Sequence, residues 1–296
     1  MKTSVLICTY NRGDLINGTL DSLINHQTKL PDEIVVVNGG GTHDCSSLLL
    51  EWKSIYGALK IIDTKNVNLA NSRNIGIKNC KGDIIIETDD DARPFNNWVE
   101  KMIEGHTKFP NAGGIGGNVI DSDGKSFLSR IADVSTFPAS EKIKNIRNIP
   151  GVNVSYKKKA MDSIGDYDIS LFRGEDVDYN WRLIQNGWDI VFIPDVKVIH
   201  IHRPTWRGLF FQHYMYGRAY YLVRKKWSNM YCVFPMKNNS IKAIFKNILS
   251  WTLVPMFDAF NKSVKMENNS YGFGIIVLYF LNISNRFGAF VQKNFY

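Results

Sequence analysis

Short runs of consecutive apolar residues alternate, over the first 90 positions, with stretches in which apolar residues recur three and four apart. "SVLICTY" predicts a buried strand, and behind Asp14 the residues Leu15, Ile16, Leu20, Leu23 and Ile24 fall at helical spacing. "EIVVVN" predicts a second strand, ended by Gly39, Gly40 and Gly41. A helix around "CSSLLLEWKSIYG" leads to a third strand, "LKIID", and a segment over 69–78 precedes "GDIIIETD". Strand and helix in alternation predict an α/β fold with a largely parallel sheet covered on both faces. Ligands of such sheets gather outside the carboxyl ends of the strands. That rule places Thr9, Tyr10, Asn11, Arg12, Asn38 and the aspartates after "IIIET" along one rim.

Beyond residue 94 the pattern is less regular. Residues 121–150 contain Pro138 and Pro150 and few apolar periodicities, which predicts a loop-rich, flexible crossing into a second half. "WDIVFIPDVKVIHIH" predicts more sheet, and the tail after it reads as helical, with Pro235 and Pro255 as breaks.

The formal charge of +8 hides an asymmetry. From residue 203 onward 13 Lys/Arg face 2 acidic residues, a net of +11, which leaves −3 for the rest. The same tail is rich in aromatic and aliphatic residues ("RGLFFQHYMYGRAYYLVRKKW", "FGIIVLYFL"), a combination suited to an anionic membrane surface. No nucleic-acid-binding motif accompanies the charge, so no nucleic-acid partner is expected. A homodimer interface through the C-terminal helices is the other use of such a surface. The longest uncharged apolar stretch, about 271–283, is shorter than the roughly 20 residues that span a bilayer, which favours lying on the membrane over crossing it. Cys8, Cys45, Cys80 and Cys232 form no CxxC pair and fit a reducing cytoplasm. "MKTSVL" lacks the long apolar core of a signal peptide. The expected location is cytoplasmic, peripheral on the inner face of the cell membrane.

"IIIETDDDARP" ends an apolar strand on three aspartates. Side chains alternate along a strand, so Asp89 and Asp91 share a face and Asp90 points away. Converging carboxylates repel unless one is protonated or a cation sits between them. An oxygen-ligated divalent ion, Mg²⁺ or Mn²⁺, relieves the repulsion and is commonly held by one or two carboxylates plus substrate phosphates. The other reading of these residues is a solvated turn leading into a helix at Pro94.

In order along roughly residues 3–220, six stretches resemble the inverting glycosyltransferases of family 2, whose fold is the glycosyltransferase-A fold: "VLICTYNR", "EIVVVNGGGTHD", "NLANSRNIGIKNCKGDIIIETDDDARP", "GVNVSYKKKAMDSIGDYD", "FRGEDVDYNWRLIQNGWDIVFIPD" and "VIHIH". The resemblance implies that Asp176 is the general base, with Glu175 the next candidate and Asp178 structural. It implies a metal, Mn²⁺ or Mg²⁺, at Asp91 with Asp89 in support, and a metal- or diphosphate-contacting histidine at His200, with His202 less secure. It assigns Thr9, Tyr10, Arg12, Asn38, Arg73, Asp89, Asp90, Gly151 and Asn153 to the nucleotide sugar. Arg73 would lie near the diphosphate, and Gly151 and Asn153 near donor sugar and acceptor. One departure matters: Asn38 stands where the family has an Asp that accepts from the pyrimidine N3–H, and an amide oxygen accepts without charge assistance. "NGGG" likewise replaces the usual Asp-Gly-Ser.

The implied function is metal-dependent inverting transfer of a sugar from a UDP- or dTDP-sugar to a hydroxyl of a glycan or lipid-linked acceptor, as in polysaccharide or cell-envelope synthesis. The implied organisation is a nucleotide-sugar half at 1–100, an acceptor half at 101–205 and a helical extension at 206–296. Two other functions compete. A sugar nucleotidyltransferase shares the sheet and the metal, although its glycine-rich basic loop is missing from "CTYNRGDL". An inactive sugar-nucleotide or glycan binder is suggested by Asn38 and the triple glycine. Gly39–Gly41 lacks the spacing of a dinucleotide-binding turn.

Overall fold

A computed structural model describes residues 1–121, 126–201, 205–227, 229–230, 249, 251–264 and 271–295. Cys232 and Pro235 lie outside them, as does His202. The described chain divides into two compact units, one of Met1–Ile120 and Pro138–Ile201, the other of Asp121–Phe137 and His202–Tyr296.

In the first unit the apolar runs become strands, β1 (Thr3–Thr9), β2 (Glu33–Asn38), β3 (Leu59–Asp63) and β4 (Ile84–Asp89), paired in parallel in the order β3-β2-β1-β4. Val5, Leu6, Ile7, Ile34–Val37 and Ile84–Ile86 are fully buried, as continuous β-branched runs in a doubly covered sheet must be. Helix α1 (Leu15–Ile24) buries Ile16, Leu20 and Leu23, the predicted stripe, and α2 (Ser46–Ile55) buries Leu49 and Trp52. Helix α3 (Leu69–Asn79) is capped by the Asn68 side chain, which accepts from the Asn71 N–H.

The sheet does not stop at residue 100. After the short β5 (Ala92–Pro94) and α4 (Trp98–Lys108) come β6 (Ala112–Asp121), β7 (Lys144–Asn145), β8 (Val154–Lys157) and, beyond α6 (Lys158–Ile164) and α7 (Glu175–Gln185), the long β9 (Asp189–His200). The order continues β4-β8-β6-β9-β5 with β7 on β9, and the β4–β8, β6–β8, β5–β9 and β7–β9 pairs are antiparallel. The parallel expectation therefore holds for the first four strands, and the sheet as a whole is mixed. The anticipated halves at 1–100 and 101–205 share this one sheet.

Residues 121–150 differ from the loop-rich crossing expected. They contain α5 (Phe127–Thr136), N-capped by Ser126, and this helix belongs to the second unit. Its apolar residues, Ile131 and Ala132, pack on partners far away in sequence, Leu209, Ala259, Val277, Leu278 and Leu281, so a local window shows little periodicity. Those partners lie on α8 (Trp206–Lys226), α9 (Leu253–Ser263) and α10 (Tyr271–Phe295). Pro255 is inside the first turn of α9, where proline's missing N–H is no loss, and does not break it. Helices α8 and α10 touch at glycines: a Cβ on Gly217 would stand 1.6 Å from the Asn285 carbonyl oxygen, and one on Gly288 would stand 1.9 Å from that of Tyr214.

Glycine also sets the spacing inside the sheet. A Cβ at Gly117 in β6 would lie 2.1 Å from the Val196 carbonyl oxygen and 2.3 Å from that of Ile193, and neither can move without dislodging β9. Gly57, in the turn before β3, has open space around its Cα. We expect Gly117→Ala to cost about 1–3 kcal/mol of overpacking, and Gly57→Ala to be neutral or to stabilise by a few tenths of a kcal/mol through the unfolded chain. Urea unfolding midpoints at unchanged slope check the pair.

Candidate active site

Register brings the rim together. Thr9 pairs with Asn38 across β1–β2, Cys8 with Asp89 across β1–β4, and His200 with Ala92 across β5–β9. The ends of β1, β2, β4 and β9 thus meet at the carboxyl edge, and the aspartates turn between β4 and β5.

The turn after β1 is a clamp. Asn11 adopts a left-handed conformation (φ 56°), which a short amide side chain tolerates. Its N–H donates to the Gly40 carbonyl (2.9 Å), and its Oδ1 accepts from the Thr42 hydroxyl and the His43 N–H. Gly40 and Gly41 have φ of 69° and 110°, and a Cβ on Gly41 would meet the Asn11 side chain at 2.8 Å. The departure from Asp-Gly-Ser thus has a backbone reason.

Arg12 reaches from this clamp to the aspartates, its Nη1 at 3.0 Å from Asp90 Oδ1 and 2.8 Å from Asp91 Oδ2. Thr9 donates to Asp90 Oδ2 at 2.8 Å. His200 Nε2 lies 3.2 Å from Asp91 Oδ1. Asp89, Asp91 and His200 each offer a ligand atom, all within 4.8 Å of one another, as a divalent cation requires. Asp90 bonds Thr9 and shares Arg12 with Asp91; both aspartates lie in the turn after β4, so the turn and not strand alternation sets their directions. Burial and then the Asp91 charge raise the Asp89 pKa. Burial also raises that of Asp90, offset in part by Arg12. His200 is pulled down by burial but pushed up further by Asp91, and ends raised.

The second acidic group sits at the start of α7. Gly174, in a left-handed conformation (φ 77°), turns the chain so that Glu175 and Asp176 open the helix. The Val177 N–H donates to Asp176 Oδ1 at 2.8 Å. Burial and the neighbouring Glu175 raise the Asp176 pKa to about 6, against the pull of Arg73 and of the Val177 and Gly151 N–H groups. Gly151 belongs to a 3-10 turn, Gly151–Asn153, next to this helix start. Asp178 is fully buried and paired with Arg182 at 2.9 Å.

Three expected nucleotide-sugar residues have other surroundings. Asn38 is buried: its Nδ2 faces Asp63 Oδ1 (2.9 Å), Asp44 Oδ1 (3.0 Å) and Ser46 Oγ (3.0 Å), and its Oδ1 accepts from the Gly40 N–H (3.0 Å). Asn153 is 0% exposed, donating to the Asn118 and Val196 carbonyls and accepting from Trp98 Nε1, so its side chain holds the 3-10 turn and does not line the site. Arg73 is 4% exposed. Its Nη1 lies 2.6 Å from Glu175 Oε1 and its Nε 3.1 Å from Glu87 Oε2. Tyr10, by contrast, is half exposed on the rim.

Sequence reasoning missed Glu87. It sits inside β4, 1% exposed, beneath Arg73, and accepts from the Tyr167 hydroxyl at 3.0 and 3.1 Å to its two oxygens. Burial raises its pKa to about 7. The available signal was an acid in an otherwise apolar strand, a residue type that burial does not tolerate unpaired.

The comparisons bear on the whole arrangement. The model of the Glycosyl transferase family 2 domain matches residues 4–165. A glucosyl-dolichyl phosphate glucuronosyltransferase of Haloferax volcanii is 26% identical over 191 residues, 60% of this chain and 59% of that protein. A poly-beta-1,6-N-acetyl-D-glucosamine synthase of Staphylococcus epidermidis is 26% identical over 238 residues, 77% of this chain and 57% of that protein. The chain thus spans less than three fifths of the length of either relative. Mannosyltransferase PcManGT of Pyrobaculum calidifontis, solved in complex with GDP-Man and Mn²⁺, has a TM-score of 0.67 at 16% identity, covering 99% of this chain and 88% of that one, and shares the fold. Asp176 and His200 lie beyond the family match, which takes in every strand of the sheet but β9. On that match the chain belongs to glycosyl transferase family 2.

Proposed function

We propose that the chain catalyses inverting transfer of a sugar from a nucleoside diphosphate sugar to a hydroxyl acceptor. The observation that carries this reading is the pairing of two distinct acidic groups in one unit: a three-ligand cluster, Asp89, Asp91 and His200, on the rim, and a buried carboxylate with a raised pKa, Asp176, beside the Gly151 turn. Asp176 takes the proton of the acceptor hydroxyl while that oxygen attacks the anomeric carbon. The bond from that carbon to the diphosphate oxygen breaks as the new one forms, and a single displacement inverts the configuration. A divalent cation, Mn²⁺ or Mg²⁺, held by the rim cluster would neutralise charge on the departing diphosphate. The Mn²⁺ of the mannosyltransferase structure supports this choice of metal.

Thr9, Tyr10 and Arg12 form the rim for base and ribose, with the half-exposed Tyr10 ring as its accessible surface. The carbonyl oxygen of Asn38 already accepts from Gly40, so it does not by itself select uracil or thymine. The donor is a UDP- or dTDP-sugar on the sequence resemblance, and the GDP-Man of the structural neighbour makes a GDP-sugar the natural third test.

The helical unit supports a lipid-linked or membrane-proximal acceptor. Helix α10 buries Val277, Leu278 and Leu281 within the unit and still has apolar side chains left over. Asn282 donates to Asp258, Ser284 to the Phe210 carbonyl, and Gln292 accepts from Arg218, all within the unit. Meanwhile Phe273, Ile276, Phe280 and Phe287, spaced for one face, are exposed, as are Leu253, Phe257, Phe260 and Val264 along α9. Close glycine contacts between α8 and α10 are the packing favoured in lipid. Helix α10 is also long and apolar enough to cross a membrane, longer than the sequence run suggested because Arg286 and Lys293 interrupt the run without ending the helix. Its inner face, amides and buried apolar residues alike, is occupied by α8 and α9, and Arg224, Lys225 and Lys226 end α8, so the exposed apolar face and these cations together fit docking in an anionic interface.

Asp91→Ala and Asp176→Asn should each lower turnover by at least about 100-fold with unchanged circular dichroism; wild-type turnover in either removes that residue from its role. Products decide the class, since transfer releases a nucleoside diphosphate and a nucleotidyltransferase releases pyrophosphate. A base with a pKa of about 6 in the ligand-free chain is protonated and idle below it, so kcat/KM should rise with pH through about 6 and level off above; a flat profile from pH 5 to 8 contradicts the assignment. For the membrane reading, the protein should float with anionic liposomes, and Phe257→Ser with Phe280→Ser should abolish flotation at low salt while donor hydrolysis persists. A dimer that does not float would instead assign that surface to self-association.

A further inference from the structure

Transfer as proposed requires the metal-side and base-side carboxylates to stand at a fixed spacing, and one buried side chain touches both. The Arg73 guanidinium has Glu175 at 2.6 Å on Nη1, Glu87 at 3.1 Å on Nε and Asp89 at 4.0 Å from Nη2. Helix α3 thereby meets β4 at two residues of the same face and α7 at its first turn. A third wall is Tyr167, whose ring centroid lies 5.5 Å from the Arg73 Cζ and whose hydroxyl donates to Glu87. Tyr167 is fixed in turn by Asn74, one residue along α3, through bonds to its N–H and carbonyl of 2.8 and 2.9 Å.

The fourth wall excludes the donor. A Cβ on Gly151 would stand 2.0 Å from Arg73 Nη2, so the 3-10 turn rests directly on the guanidinium and leaves no room there for a methyl group, still less for a phosphate. Arg73 is 4% exposed, and its two closest partners are carboxylates of the protein.

We propose that Arg73 is a positioning residue: seated on Glu87, its guanidinium locks Asp89 of the metal cluster and Glu175, next to the base Asp176, into one geometry, and it does not bind the donor diphosphate. The fork of guanidinium donors is what makes this possible, because a lysine ammonium is a single point that cannot bridge three carboxylates in a plane. Glu175 in this arrangement is the handle by which Arg73 sets the first turn of α7, and Asp176 is the group so placed. The inference rests on the glycosyl-transfer reading and sharpens it.

The test is Arg73→Lys, which keeps the charge, together with Glu87→Gln, which keeps an acceptor for Tyr167 and Arg73 but removes the charge beneath. For each, calorimetry with UDP, dTDP or GDP in the presence of Mn²⁺ measures nucleotide affinity, and saturating kinetics measure kcat. The expected result for Arg73→Lys is affinity within about threefold of wild type and kcat lower by roughly 10- to 100-fold, the cost of misplacing reacting groups by about an ångström. Glu87→Gln should lower kcat by roughly threefold or more with affinity again unchanged. Loss of nucleotide affinity with kcat retained at saturation would return Arg73 to the diphosphate. Wild-type kcat in folded Arg73→Lys would make the network merely structural. Should Arg73→Lys fail to fold, wild-type kcat in Glu87→Gln overturns the proposal alone. Failure of the transfer reading itself would be seen separately, as wild-type protein releasing no nucleoside diphosphate from any donor.

Discussion

Glu87, Asp89, Asp90, Asp91, Glu175 and Asp176 gather where the sheet runs out, in surroundings largely closed to water, and an unpaired charge there would cost several kcal/mol. Arg73 and Arg12 enter from opposite sides, one from α3 beneath the 3-10 turn, the other from the clamp after β1. Every feature of the rim is arranged around this charge balance. Burial, and then the charge of a neighbouring carboxylate, raises the pKa values of Asp89 and Asp176. Acidic groups crowded and buried in this way are prepared for a cation and for a proton.

The backbone pays for that arrangement in strain and in side-chain volume. Asn11, Gly40 and Gly41 all occupy left-handed conformations so that two rim loops can lie against each other, and Gly174 does the same to aim the first turn of α7. Gly151 gives up its side chain so that the turn can touch Arg73. A non-glycine left-handed residue persists only where surrounding contacts over-determine it, and here the bond from the Asn11 N–H to Gly40 and those that Asn11 Oδ1 accepts from Thr42 and His43 do so.

The parallel first half of the fold was legible in the sequence because buried strands and amphipathic helices leave unambiguous periods, and the aspartate tip was legible because charge ending an apolar strand demands an explanation. Helix α5 was not, because its apolar partners are on α8, α9 and α10, and no window of local sequence contains them. Asn153 and Arg73 were singled out from the sequence for the nucleotide sugar, but their burial and their protein partners were not legible there. Spacing along a chain says that a residue is near a site, whereas whether it faces inward or outward depends on contacts such as Trp98 on Asn153 that join segments 55 residues apart. Glu87 escaped notice since a lone acid in a strand pattern resembles an edge residue until its neighbours are known to be buried.

Strand β4 carries two of the three carboxylates that Arg73 touches, Glu87 and Asp89, two positions apart and therefore on one face. Inserting or deleting a single residue between Ile84 and Glu87 would invert that phase, presenting Ile86 or Thr88 to the guanidinium, and one between Glu87 and Asp89 would swing Asp89 away from His200. Length variation among descendants of this chain is thus barred from six consecutive positions, and new substrate preferences have to arise from the connecting segments, which carry no such parity.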